Sequence, residues 1–288
     1  MPSQHQNRIA RVVQYIYSEL SKAEPESLTV ERLSQVACFS KHHFHRVFCS
    51  YTGKNVTAFI LMAKLKRASY QLAFQHEMKV IDIAYDAGFE NLESFSRAFS
   101  REFKQTPSQF RKQPEWLDFS DKVQHQYKGV NRMTAVEICH MDTVKVAALE
   151  HHGNPKKLNH TVAQFIAWRK QSGESPIATT QTYGIAYSDP DAVPASEFRF
   201  DVCSSVQDDI KDNDFDVVNK TIPGGRCAKV THLGSHDLMD EKIRFLYGQW
   251  LSESGEQLRD FPVFFHYKNL FPQVAEHDLV TDIYLPLV

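Results

Sequence analysis

Two unrelated internal repeats, one in each half of the chain, set the strongest limit on what this sequence can build. In the first half, Ala37 matches Ala87 and Phe39 matches Phe89 at an offset of 50. Phe44/Phe95, Arg46/Arg97, Phe48/Phe99 and Phe59/Phe110 then match at 51, so one residue is inserted inside the unit. The second half repeats at a longer step. His151/His232, Gly153/Gly234 and Asp201/Asp282 match at 81, Trp168/Trp250 and Gly173/Gly255 at 82, and Tyr187/Tyr267 at 80. A repeat of this kind is one supersecondary unit used twice. The 288 residues therefore hold two duplicated modules, in keeping with a two-domain length.

The first module is helical. Ile9, Val12, Val13, Ile16 and Leu20 form one apolar face of an opening helix. Thr29 is the N-cap of a second, with Val30, Leu33, Val36 and Ala37 inward, and Ser40 caps a third that buries Phe44, Val47 and Phe48 and ends at Gly53. A long helix spans about Val56 to Gln75, which contains no Gly or Pro. Two short helices follow, Val80–Ala87 and Leu92–Phe103, turning at Gly88. The repeated unit is thus helix, tight turn, helix with a polar outer face, the helix-turn-helix plan. Lys112–Met133 shows no clean period and reads as a connection partly packed through Trp116 and Phe119. The domains are accordingly 1–112, a linker over 113–132, and 133–288.

From Thr134 the texture changes to strands: Thr134–Cys139, Val144–Glu150, Gln181–Tyr187, Phe198–Val206, Arg226–His232, Val263–Tyr267 and Val280–Leu287. Helical patterns interrupt them at Asn159–Gln171 and Asp237–Ser252. Each half of this module reads strand, helix, strand, strand, an α+β fold with antiparallel hairpins. A pseudo-twofold axis relates the halves, and their seam is the natural place for a pocket.

The formal charge of −2 hides an asymmetry. Residues 1–114 carry sixteen Lys and Arg against ten Asp and Glu, net +6, whereas residues 115–288 are net −8. One half is suited to a polyanion and the other is not. The five cysteines are odd in number and scattered without a C-x-x-C pair, as expected of free thiols in a reducing compartment. Met1–Leu20 has no apolar signal core and no apolar run reaches ~18 residues, so the expectation is a soluble cytoplasmic protein. No phosphate-loop, dinucleotide, H-E-x-x-H or nucleophile-elbow motif occurs, so neither catalytic residues nor a cofactor is expected. His42 and His45 stand one helical turn apart but lack a third ligand on that face, so no metal is expected.

In a helix-turn-helix the second helix presents its early outward side chains to base edges. Here these are Lys41, His42, His45 and Arg46 in the first unit, and Asn91, Leu92, Glu93, Ser96 and Arg97 in the second. Arg bridges the guanine O6 and N7 acceptors, and Glu accepts from the cytosine amino group. Lys54, Lys64, Lys66, Arg67, Arg101, Lys104 and Arg111 stand where phosphates would run. A 20-residue helix between the units spans ~30 Å, near the ~34 Å repeat of the major groove, so one chain reads two adjacent segments of duplex DNA. The run Gly88-Phe89-Glu90, Ser94-Phe95-Ser96-Arg97-Ala98-Phe99 and Phe103 through Arg111 resembles the signature of AraC/XylS-type transcription regulators, over about residues 8–112. The resemblance implies a seven-helix bundle and places His42, His45, Arg46, Glu93, Ser96 and Arg97 where family members read bases.

The second module offers aromatic walls for a pocket at the repeat seam: Tyr183, Tyr187, Tyr247, Trp250, Phe265 and Tyr267, with Glu150 and Asp282 as strand carboxylates that need partners if buried. Tyr183 through Pro190, Leu246 through Gly255 and Thr281 through Pro286 resemble the GyrI-like effector-binding domain over about residues 133–288. That resemblance implies a groove between the halves for hydrophobic, often cationic compounds. Many relatives carry a counter-charging Glu where this chain has Phe265, which in some of them serves hydrolysis. The expectation is a transcription regulator that senses a hydrophobic or aromatic effector through its second module, with RNA polymerase as a further candidate partner. Its rivals are a constitutive DNA binder with a protein-interaction module, and a DNA-binding fusion to a GyrI-like hydrolase.

Overall fold

The computed structural model describes residues 4–20, 28–116, 135–236, 239–271, 273–274 and 278–288. By contacts the chain divides into two compact units: Met1–Met133 with Gly234–Glu241 and Phe271–Asp278, and Thr134–Leu233 with Lys242–Leu270 and Leu279–Val288. Most of the expected connection, residues 117–132 with Phe119, lies outside the described residues.

The first unit contains seven helices among its described residues: α1 (Gln4–Leu20), α2 (Val30–Ala37), α3 (Lys41–Thr52), α4 (Val56–Phe74), α5 (Val80–Asp86), α6 (Leu92–Phe103) and α7 (Pro107–Lys112). Side-chain caps set their starts. Thr29, Ser40, Asn55, Asn91 and Thr106 each accept a hydrogen bond from a first-turn N–H, and Thr106 with Gln109 completes a capping box. The two helix pairs, α2/α3 and α5/α6, are the duplicated unit. Both turns need a left-handed residue at the same repeat position: Cys38 at φ 52° and Gly88 at φ 72°.

Helix α4 belongs to both copies. Its Val56, Phe59 and Met62 pack into the core formed by α1, α2 and α3, while Leu65, Ala68 and Leu72 pack into the core of α5, α6 and α7. The repeated phenylalanines Phe44/Phe95, Phe48/Phe99 and Phe59/Phe110 are all fully buried.

The second unit is one antiparallel sheet of eight strands: β1 (Glu137–Met141), β2 (Val144–His152), β3 (Thr182–Ala186), β4 (Arg199–Ser205), β5 (Val218–Ile222), β6 (Gly225–Leu233), β7 (Val263–Tyr267) and β8 (Val280–Pro286), in the order β1-β6-β8-β7-β3-β4-β2-β5. Helix α8 (Leu158–Ser172) serves the first half. The second half has α9 (Asp240–Phe245), a π turn over Leu246–Trp250 and α10 (Leu251–Ser254). At the centre, Gly184↔Phe265 and Ile185↔Phe264 exchange places under the offset of 80, so the pseudo-twofold axis passes between β3 and β7.

One strand was not expected. β5, with the sequence VNKTI, follows an Asp- and Asn-rich loop and lies at a sheet edge with Val218, Asn219 and Thr221 exposed, so it lacks the apolar alternation that marks a strand. With it, each half reads strand, strand, helix, strand, strand, and β1 and β5 are repeat partners at offset 81. They are also exchanged. β1 pairs with β6 and β5 with β2, although only Asp142–Thr143 separate β1 from β2, and Pro223–Gly224 separate β5 from β6.

Such short connectors require the sheet to curl until its two edges meet. They do meet: the Thr143 hydroxyl accepts from the Gly224 N–H at 3.1 Å. A Cβ on Gly224 would stand 2.7 Å from the Thr143 nitrogen and 2.8 Å from the Met141 oxygen, both backbone atoms unable to step aside. Gly224→Ala is therefore expected to cost about 1–3 kcal/mol in urea unfolding of the full chain; unchanged stability would show that the edges are not in contact. Cys38→Gly should instead add up to about 1 kcal/mol, the left-handed penalty less the extra unfolded-chain entropy of Gly.

Candidate functional sites

In the first unit the outward face of α3 carries exposed Lys41, His45 and Arg46. His42 is in the helix, but its side chain lies outside the described residues. Lys41 forms an ion pair with Glu31. His45 borders a 530 Å³ cleft with Val30, Leu61 and the first turn of α4.

On α6, Glu93 and Arg97 face each other one turn apart at 3.5 Å, 78% and 73% exposed. An exposed pair of this kind is worth little, so Arg97 stays available to another acceptor. Ser96 is half-buried and Arg101 exposed. Lys104 closes the helix in a left-handed conformation and donates from Nζ to the Arg101 carbonyl at 3.0 Å. Asn91 has a structural task that its position in the sequence did not reveal. Its Oδ1 caps α6 by accepting from the Ser94 N–H at 2.8 Å, which leaves its amide N–H₂ and one Oδ1 lone pair for another partner.

The set expected to face phosphates is smaller than its charges suggested. Lys66 is buried in α4, Lys64 is half-buried with its pKa lowered by burial, and Arg67 donates to the Leu20 carbonyl at 2.6 Å. The reason is that α4 is packed by both cores and has little outer face.

In the second unit, alternation along the strands separates residues that their sequence positions had grouped. One face carries Glu150, Tyr183, Tyr187, Asp201, Phe264 and Asp282, with direct cross-strand pairing through Glu150↔Asp201, Tyr183↔His266 and His266↔Asp282. It looks inward on the curl and holds an apolar cluster that includes Val146, Ala148, Cys203 and Phe264. The other face carries Gly184, Phe200, Phe265 and Tyr267. Helix α8 packs on it, with His151 and Thr161 joined at 2.7 Å and Arg169 donating to Thr182 at 2.9 Å. The seven residues expected around one seam pocket are thus not brought together: Glu150, Tyr183 and Tyr187 are inward, Phe265 and Tyr267 are on the helix-covered face, and Tyr247 and Trp250 are on the second helical segment.

The inward residues form a closed polar network. Lys220 pairs with Asp201 at 2.6 Å and with Glu150, while the Tyr187 hydroxyl donates to Asp201 at 2.9 Å. Hydrogen bonds from His152 and Lys220 hold the Glu150 carboxyl down to about 2. Burial, helped by Asp201, pushes Tyr187 up to about 12. Tyr183 is pushed up to about 12 by burial; it stacks on His266 at 4.7 Å, and burial draws that imidazole down to about 4. In the second half Asp282 accepts from the Thr231 hydroxyl at 2.6 Å.

On the helix-covered face Gly184 has no room for a side chain. A Cβ there would come 2.5 Å from Phe200 Cζ and 2.9 Å from the Tyr267 hydroxyl. Phe200 and Phe265 stack at 6.2 Å, giving an aromatic platform at the pseudo-twofold axis. The two helical segments differ. In α8, Phe165 and Trp168 are fully buried and stacked at 5.3 Å, whereas their repeat partners Tyr247 and Trp250 sit in the π turn, with Tyr247 40% exposed. π turns are common at functional sites. Sequence reasoning missed Phe200 and Arg169: Phe200 reads as ordinary strand core, and Arg169 as the outer face of a helix.

Two families match the chain, one in each half. The GyrI-like small molecule binding domain family matches residues 134–288, and a helix-turn-helix domain family matches residues 33–113. The probable transcriptional regulator YgiV of Escherichia coli strain K12 is 42% identical over 152 residues, 53% of this chain and 95% of that protein. The transcriptional regulator Rob of Salmonella typhimurium is 31% identical over 94 residues, 33% of this chain and 32% of that protein. Among solved structures, the EcmrR–DNA complex in EcmrR-RPo covers 90% of this chain and 98% of its own, with 14% identity and a TM-score of 0.46. Among the described residues, no helix is long and apolar enough to cross a membrane. The chain belongs to the GyrI-like small-molecule-binding family and carries an AraC-type helix-turn-helix domain ahead of it, which makes it a DNA-binding transcription regulator.

Proposed function

We propose that the chain reads its operator with both helix-turn-helix units of one molecule, and that its GyrI-like domain senses a small hydrophobic or aromatic compound that alters this reading. The observation that carries the proposal is α4. It is shared by both cores, which makes it a rigid spacer, and its 19 residues span about 28 Å between two helices of the same plan. Major-groove segments recur every ~34 Å along one face of the duplex.

On this reading Arg46 and Arg97 are the base readers, set at matching repeat positions. His45, Glu93 and Ser96 flank them, and His42 belongs with them by position. Lys41, Arg101 and Lys104 meet phosphates, and Asn91 contributes chiefly by holding the start of α6. The domain boundaries are 1–112 and 133–288. The relatives named as transcriptional regulators support a non-enzymatic role. The effector acts by binding one state of the protein better than another, since a ligand with equal affinity for both shifts nothing. RNA polymerase is a second partner to be tested once an operator is known.

Arg46→Ala and Arg97→Ala should each weaken sequence-specific binding by about 1–3 kcal/mol, with non-specific binding nearly unchanged. Gel-shift titrations on a selected duplex and a scrambled one measure both; wild-type specificity in both variants would overturn the assignment of recognition helices. Binding should also weaken steeply with salt, the slope of log K against log [salt] reporting the phosphates neutralised at about 0.9 per contact. A flat salt dependence would contradict a phosphate-tracking surface.

A further inference from the structure

The curled sheet sorts its charges by face, and the sorting bears on what the helix-covered face accepts. The described strands carry four carboxylates, Glu137, Glu150, Asp201 and Asp282, and every one points inward. Each is already engaged: Glu137 with Lys229 at 2.7 Å, Glu150 and Asp201 with Lys220, and Asp282 with the Thr231 hydroxyl. The helix-covered face has Phe265 at its centre, beside Gly184. Of the cations on that face, Lys145 pairs with Asp209 and Arg226 with Glu256, and both cations are exposed, whereas Arg169 is only 3% exposed. It donates to the Ser175 carbonyl at 2.7 Å, Thr180 at 2.7 Å and Thr182 at 2.9 Å, all uncharged, and burial draws its pKa down to about 10. A buried guanidinium without a carboxylate repels a second cation and favours an anion or a neutral dipole.

Two further groups point the same way. Thr281, opposite Tyr267 and His232 on this face, is fully buried, and its hydroxyl has no hydrogen-bond partner. The indole N–H of Trp168 on α8 is buried and equally without an acceptor. Buried polar groups left unmatched cost about 1–3 kcal/mol each and are kept where something else satisfies them. An indole N–H can only donate, so its partner must accept, which an ammonium group does not.

We infer that the helix-covered face takes a hydrophobic ligand that bears no positive charge and offers a hydrogen-bond acceptor. The inference rests on the sensing role proposed above and specifies the chemistry of the compound sensed. It is tested by titrating the full chain, by calorimetry, with naphthalene derivatives of one shape bearing a carboxylate, a hydroxymethyl or an aminomethyl group. The carboxylate and the alcohol should bind at least tenfold more tightly than the amine. Equal or tighter binding of the amine overturns the inference and leaves sensing intact; binding of none of the three overturns both. Thr281→Val supplies a second reading. It should weaken the alcohol several-fold with the melting temperature unchanged or raised, since it deletes a buried unmatched hydroxyl. Undiminished affinity would assign Thr281 to the fold alone.

Discussion

Contact between the two connectors, Asp142–Thr143 and Pro223–Gly224, is the constraint on which the second unit depends. Because each edge strand joins a strand next to the opposite edge, the sheet must curl until the connectors touch. A curled sheet has one face that side chains must fill from within and one that helices must cover. The inward face is filled by an apolar cluster and by charges that satisfy one another. The outer face, whose strands themselves carry no acid, holds the Phe200–Phe265 stack and is packed by α8. Strand alternation does the sorting, and a shift of one residue in any strand would exchange the two sets.

The first unit was legible in the sequence because its elements obey local rules. Caps at Thr29 and Ser40, the Gly53 stop and the Leu92–Phe103 helix lie where the residues put them, since each depends on neighbours three or four residues away. What lay beyond reach was the tertiary placement of charge. Lys66 looks like any exposed lysine until α4 is seen to be packed by two cores, and Asn91 looks like a base reader until its hydrogen bond to the Ser94 N–H is counted.

In the second unit the repeat located the axis but not the connectivity. Residues matching at 80 to 82 identify equivalent strands, yet nothing in them tells that β1 leaves its own half to pair with β6. β5 escaped for a related reason: an edge strand needs no apolar face of its own when its partner supplies the burial. The sequence positions of the aromatic residues do not tell which face each one takes, because face depends on register, and register is a property of paired strands. The duplication also conceals a departure from symmetry, for Phe165 and Trp168 are packed away while Tyr247 and Trp250 remain within reach of solvent.

Both duplications serve one account, in which a rigid α4 fixes the spacing of two DNA-reading helices and a second duplicated fold supplies a ligand face. The spacing is the part of that account most open to direct measurement. Selection of bound sequences from random duplexes by the intact protein should return a bipartite site whose two elements are centred about 10–10.5 base pairs apart, one helical turn. Recovery of a single short element, or of two elements at no fixed spacing, would contradict it.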